Sequence, residues 1–111
     1  MVKIIALMSI VFLASCNKQN ERYEVWYQVK GNSGANITYM NDTGGIEQVT
    51  IDKLPWYKNY TCLGKHVLTI SAQAKDYSSQ IKVEILIGNT VIKEAQSQGD
   101  FAVASASTVV E

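Results

Sequence analysis

The sequence predicts an all-β domain, a sandwich of two antiparallel sheets built from about seven to eight short strands. Three observations predict it. Apolar and polar residues alternate with a period of two through most of the chain after residue 22, which is the mark of strands covered by a core on one side only. Clusters of Gly, Asn, Asp and Ser interrupt this alternation about every 8 to 12 residues, a spacing that favours a sandwich over an open sheet. No stretch after residue 22 has helical periodicity; residues 95–106 come nearest, and Gly99 with the Val, Ser and Thr content argues against a helix there.

The first element in chain order is not a strand. Met1-Val2-Lys3 supplies one positive charge, and residues 4–13 are apolar apart from Ser9. A ten-residue helix rises about 15 Å, roughly half the hydrocarbon thickness of a bilayer, so this run is too short to span one. A basic start, a short apolar run and then small residues form a removable secretory signal over residues 1–15. Cys16 follows Leu13-Ala14-Ser15 directly, and this resembles the bacterial lipobox, in which the peptidase cuts before a lipid-modified cysteine. Cys16 is then the lipidation site and the first mature residue. Two or three acyl chains at about 0.8 kcal/mol per buried CH₂ make an anchor that effectively does not come off. The expected location is the bacterial cell envelope, outside the cytoplasm, with the membrane as one partner through the lipid on Cys16. The tether lacks an acidic cluster of the kind linked to surface export, which leans the reading toward the periplasmic side.

Residues 16–22 carry the modified cysteine and a polar tether, Asn17 to Arg22, that reaches about 20 Å when extended. Residues 23–111 form the domain. Without its first 15 residues the chain keeps 96 of 111, enough for one domain, with nine basic against ten acidic residues. Near-neutrality argues against nucleic acid as a partner held by charge. With Cys16 lipidated, Cys62 is the only thiol left, and no intramolecular disulfide can form.

The strands follow in order. Tyr23, Val25, Tyr27 and Val29 share one face, with Glu24, Gln28 and Lys30 on the other, where Trp26 interrupts the polar pattern. After the turn at 31–34 a second strand runs over 36–40, and a third over 46–51 follows the turn at 41–45. Pro55 cannot donate to a ladder, so residues 52–56 read as a crossing or a sheet edge. A fourth strand is expected over 58–63. Residues 66–74 form the fifth, with Leu68, Ile70 and Ala72 on one face. Ile81, Val83, Ile85 and Ile87 give the cleanest alternation, and Gly88-Asn89 joins them to a strand over 90–95 as a two-residue hairpin. The last strand, 101–110, places Ala102, Ala104 and Ala106 on one face, which predicts close approach of the facing sheet or a crowded neighbouring strand.

Several short pieces stand in a recognisable order: Tyr23-Glu24-Val25, Ile37-Thr38-Tyr39, Gly44-Gly45 leading to Val49, Leu54-Pro55-Trp56, Ser71-Ala72-Gln73, Val91-Ile92-Lys93-Glu94-Ala95 and the Ala/Ser-rich end. This arrangement resembles the extracytoplasmic domain of the mycobacterial small membrane proteins called MmpS, and similar small lipoproteins of Bacteroidetes, over about residues 23–107. The resemblance implies an immunoglobulin-like sandwich outside the cytoplasm. For the mycobacterial members it also implies an accessory role beside a large transporter. Here a lipid takes the place of their uncleaved transmembrane helix, and one cysteine stands where they usually have a pair.

Candidate chemistry is sparse. His66 is the only histidine, so the usual His/Cys zinc sites cannot be assembled, and no metal or other cofactor is expected. Cys62 lacks an evident base, and the turn at Gly64-Lys65 separates it from His66; it reads as a structural thiol. Asp42, Asp52, Asp76 and Asp100 lie scattered in turns without calcium-loop spacing. No catalytic residue is assigned, and the chain reads as a non-enzyme. The aromatic residues Trp26, Trp56, Tyr57 and Tyr60 are the candidate surface. Exposed, they would stack on sugar rings or anchor a protein interface; buried, Trp56 would plug one end of the sandwich. The expectation is a binding or accessory module for an envelope protein, such as a transporter-type complex, with a glycan- or lipid-binding lipoprotein that uses exposed aromatic residues as the alternative.

Overall fold

The computed structural model describes residues 22–110. The expected signal segment, the expected lipidation site Cys16 and the expected tether up to Glu21 lie outside the described residues. Eight strands follow one another: β1 (Arg22–Gly31), β2 (Ala35–Met40), β3 (Ile46–Ile51), β4 (Trp56–Leu63), β5 (His66–Ala74), β6 (Ser79–Ile87), β7 (Thr90–Gly99) and β8 (Val103–Val110). They form two antiparallel four-stranded sheets, the first in the order β4-β1-β6-β7 and the second in the order β3-β2-β5-β8. The described chain is therefore an all-β sandwich, as the alternation predicts. Only β2–β3 and β6–β7 are hairpins within a sheet; every other connection crosses to the opposite one.

The period-two pattern sets which faces meet. Val25, Tyr27 and Val29 on β1 have no exposed surface, and they pack with Ile81, Val83 and Ile85 from β6 against Ile37, Leu68 and Ile70 of the second sheet. The β6–β7 link is the expected two-residue hairpin, Ile87 facing Thr90 across Gly88-Asn89. Gly88 has φ of 61° while Asn89 does not have positive φ, the pattern of a type II′ turn whose twist matches the flanking strands. At Gly34 the chain passes so close to the Ile51 carbonyl that an added Cβ would collide with it.

Three boundaries differ from expectation: pairing extends β4 and β7 beyond their own patterns, and a turn shortens β8. β4 begins two residues early because Trp56 and Tyr57 continue its ladder opposite Val29 and Gln28. The polar run Gln96-Ser97-Gln98 belongs to β7, held in register with Lys82, Ile81 and Gln80. β8 starts late because Phe101 turns with φ of 52°, its amide donating to the Asp76 carbonyl over 3.0 Å.

The sandwich is a wedge. On the β7/β8 side Cα atoms of the two sheets come within 8 Å of each other, an approach nearly absent between β3 and β4. Ala102, Ala104 and Ala106, all buried, allow this approach, as the small-residue face of the last strand predicts. On the opposite side, between β4 and β3, large aromatic residues fill the gap.

Candidate functional site

Alternation along β4 separates the candidate aromatics. Trp56, Lys58, Tyr60 and Cys62 stand opposite the inward residues Val29, Tyr27, Val25 and Tyr23 of β1, so they face between the sheets. Tyr57 and Asn59 point outward with Trp26, which lies opposite Asn59 on one side and Leu86 on the other. Trp56 and Tyr60 therefore pack against the core, while Trp26 and Tyr57 share the outer face of the first sheet.

The inward group is a closed network. Tyr39 of β2 meets Trp56 at 5.2 Å between ring centroids, Tyr27 at 5.8 Å and Tyr60 at 6.2 Å; tilted pairs at these distances each add to their area burial. Glu47 of β3 ties the sheets together. Its Oε1 accepts from the Tyr39 hydroxyl at 3.1 Å, and its Oε2 accepts from Asn41 Nδ2 at 2.9 Å and from the Tyr60 hydroxyl at 3.1 Å. The Asn41 amide, with the two hydroxyls and Lys58 nearby, holds the Glu47 carboxyl below the usual carboxylate range. Tyr27 donates to the Met40 carbonyl at 2.7 Å, and burial pushes its hydroxyl up to about 12. Tyr39 and Tyr60 are raised in the same direction, chiefly by burial. Lys58 Nζ stands 5.5 Å from the Tyr60 ring centre, a cation–π distance.

Cys62 is a buried free thiol beside this network. Burial, and then the charge of Asp42, push its pKa up, which keeps it protonated and poorly nucleophilic. His66 begins β5 with Nε2 3.1 Å from the Asn41 carbonyl, the contact of an Nε2–H donor. Among the described residues no group of three or more His, Cys, Asp or Glu side chains is placed to hold a metal ion.

The outer face of the first sheet is the candidate surface. Two of its rows cross all four strands, Asn59, Trp26, Leu86 and Val91, then Tyr57, Gln28, Glu84 and Glu94; a third, Lys30, Lys82 and Gln96, crosses three. Val91 and Ile92 are exposed, with Ile92 the extra residue where the β6–β7 register shifts. Lys30 and Lys82 lie directly opposite each other, a repulsive arrangement that Glu84 offsets. Its buried carboxylate has Lys30 Nζ at 3.1 Å and Lys82 Nζ at 4.0 Å, and Lys82 also reaches Glu94 at 3.5 Å. The Lys30 contact is an ion pair without hydrogen-bond geometry at Oε1. Beside these charges lies a shallow polar depression lined by Lys30, Gln80, Lys82, Gln96 and Gln98. An apolar row thus runs into a field of amides and paired charges.

Sequence reasoning identified Trp26 and Tyr57 but missed Leu86 and Val91, which join them only through strand register. It also missed a second aromatic pair. Tyr77 and Phe101 meet as a tilted pair at 4.8 Å between centroids at one end of the sandwich and are 72% and 41% exposed. Ser78, with φ of 49°, adjoins them and donates its amide to Asp100 Oδ1 at 3.0 Å. No protein-family model matches the chain, and no curated protein matches it.

Proposed function

We propose that this protein is a lipid-anchored, extracytoplasmic binding module of the bacterial envelope, of the MmpS-like, immunoglobulin-like kind. It is held by the lipid on Cys16 and presents the outer face of the first sheet to an envelope protein, such as a transport complex. The carrying observation is Trp26. It sits on β1, a central strand, yet faces outward in a row with Leu86 and Val91. A tryptophan on that face contributes nothing between the sheets, while tryptophan and tyrosine are the residues that most often dominate protein interfaces. Tyr57, 51% exposed, stands on the neighbouring edge strand of the same face. No step of chemistry is assigned to the domain, whose one described thiol is buried and protonated.

Two measurements test this reading. Labelled fatty acid enters the wild-type protein and not Cys16→Ala; incorporation in the variant overturns the anchor. A photocrosslinking residue at position 57 captures a defined envelope protein in cells, and Trp26→Ala abolishes the capture. The second reading, glycan binding, draws support from the Lys- and Gln-lined depression on the same face, which offers donors and acceptors to sugar hydroxyls beside an aromatic platform. Binding on a glycan array that is lost in Trp26→Ala, with no protein captured from position 57, favours that reading over the first.

A further inference from the structure

We propose that β8 is a self-pairing edge, through which two copies of this chain join their second sheets into one continuous eight-stranded sheet. The sandwich has four edge strands, β4 and β7 in the first sheet and β3 and β8 in the second. Exposed edges offer unpaired backbone groups to any other strand, and proteins protect them with charge, proline, bulges or brevity. Three of the four are protected in these ways. β4 carries Lys58 and follows Pro55, β7 carries Lys93 and Glu94 beside a bulge, and β3 is six residues long and carries Glu47. β8 has none of these devices. It is eight residues of Val, Ala, Ser and Thr with no charge, no proline and an unbroken register on β5.

The sequence of β8 is nearly its own mirror image. Read outward from Ala106, Ser105 matches Ser107, Ala104 matches Thr108 and Val103 matches Val109. An antiparallel pair related by a two-fold axis at Ala106 therefore sets Ser105 opposite Ser107 of the second copy and Val103 opposite Val109. Hydroxyl pairs and β-branched pairs are the cross-strand neighbours that stabilise a ladder, and a two-fold interface requires this kind of self-complementarity. Charge agrees. The outward residues of the second sheet next to this edge, Thr69, Ser71 and Gln73 on β5 with Val103, Ser105, Ser107 and Val109 on β8, are all neutral, so two copies meet without repulsion. Val103 and Val109 are each 51% exposed and would be covered at the two ends of the joint. On the inward side Ala104 and Ala106 leave room for the partner's Thr108 and Ala106.

The test is the mass of the full chain in detergent micelles, by light scattering or sedimentation across a concentration series. The wild type forms a concentration-dependent dimer. The double variant S105K/S107K places lysine opposite lysine twice and weakens the dimer at least about tenfold. S105K/S107E places lysine opposite glutamate twice and restores it. Both positions are exposed on the outer face, and unchanged near-ultraviolet circular dichroism verifies that each variant is folded. A wild type that stays monomeric, a dimer indifferent to S105K/S107K, or an S105K/S107E variant no tighter than S105K/S107K overturns the pairing.

Discussion

The two sides of the wedge solve the same problem by opposite means. At the β7/β8 side the sheets close because alanines occupy the inner face, and the joint is made by backbones coming within 8 Å. At the β3/β4 side the sheets stand apart, and the gap is spanned by side chains: four aromatic rings and a carboxylate hydrogen-bonded to two tyrosines from different sheets. Close contact of small residues depends on volume alone. A hydrogen-bonded aromatic network depends on volume, on geometry and on protonation, so the wide side should respond to pH while the narrow side should not.

The largest effect should come from emptying the wide side. Tyr27 has no exposed surface and lies at the meeting point of both sheets. Tyr27→Ala is expected to cost about 3–5 kcal/mol in chemical denaturation, the range for large aromatic truncations. Overfilling the narrow side comes next: Ala104→Leu should cost about 1–3 kcal/mol, because the added atoms must push β7 and β8 apart. A cost for Ala104→Leu as large as that for Tyr27→Ala would erase the distinction between the two sides.

The pH response separates them further. Glu47 has a depressed folded pKa, so its contribution is present above the ordinary carboxylate value of 4.5 and is lost as pH falls through the folded value. Glu47→Gln should lower stability at neutral pH and flatten the acid side of the stability profile, whereas Ala104→Leu should shift the whole profile without changing its shape. The tyrosines act at the other extreme. Tyr27, raised to about 12, keeps its proton in the fold after the unfolded chain has lost it. Stability is therefore whole below about pH 10 and falls as pH rises through 12. A denaturation series across pH checks both limbs. The smallest effect should be at Tyr57, next in sequence to Trp56 but on the outer face: Tyr57→Ser should change stability by no more than about 0.5 kcal/mol.

Much of this architecture was legible in the residues, and the exceptions share a cause. The inward set Val25, Tyr27, Val29, Ile81, Val83 and Ile85 follows from alternation, because a strand's period depends only on the strand itself. Even the narrow side was visible in Ala102, Ala104 and Ala106. Residues whose role comes from a distant partner were not visible. Glu47 looks like any strand carboxylate until the hydroxyl of Tyr60, thirteen positions away, is brought to it from the other sheet. The spacing of Trp56, Tyr57 and Tyr60 separates one face of β4 from the other, but only the register on β1 decides which face is inside. Tyr77 and Phe101 were missed because positive φ at Ser78 and Phe101 is imposed by the crossing between sheets rather than by glycine.

One consequence concerns direction. Arg22, where the chain enters the sandwich, pairs with Leu63, and Gly88 of the β6–β7 hairpin donates to the Glu24 carbonyl at the same end. Tyr77 and Phe101 cap the other end, farthest from any attachment made through the preceding residues. Two copies joined antiparallel along β8 would send their entries out at opposite ends. With the proposed lipid on Cys16 of each copy, such a pair would lie flat along one membrane or bridge two.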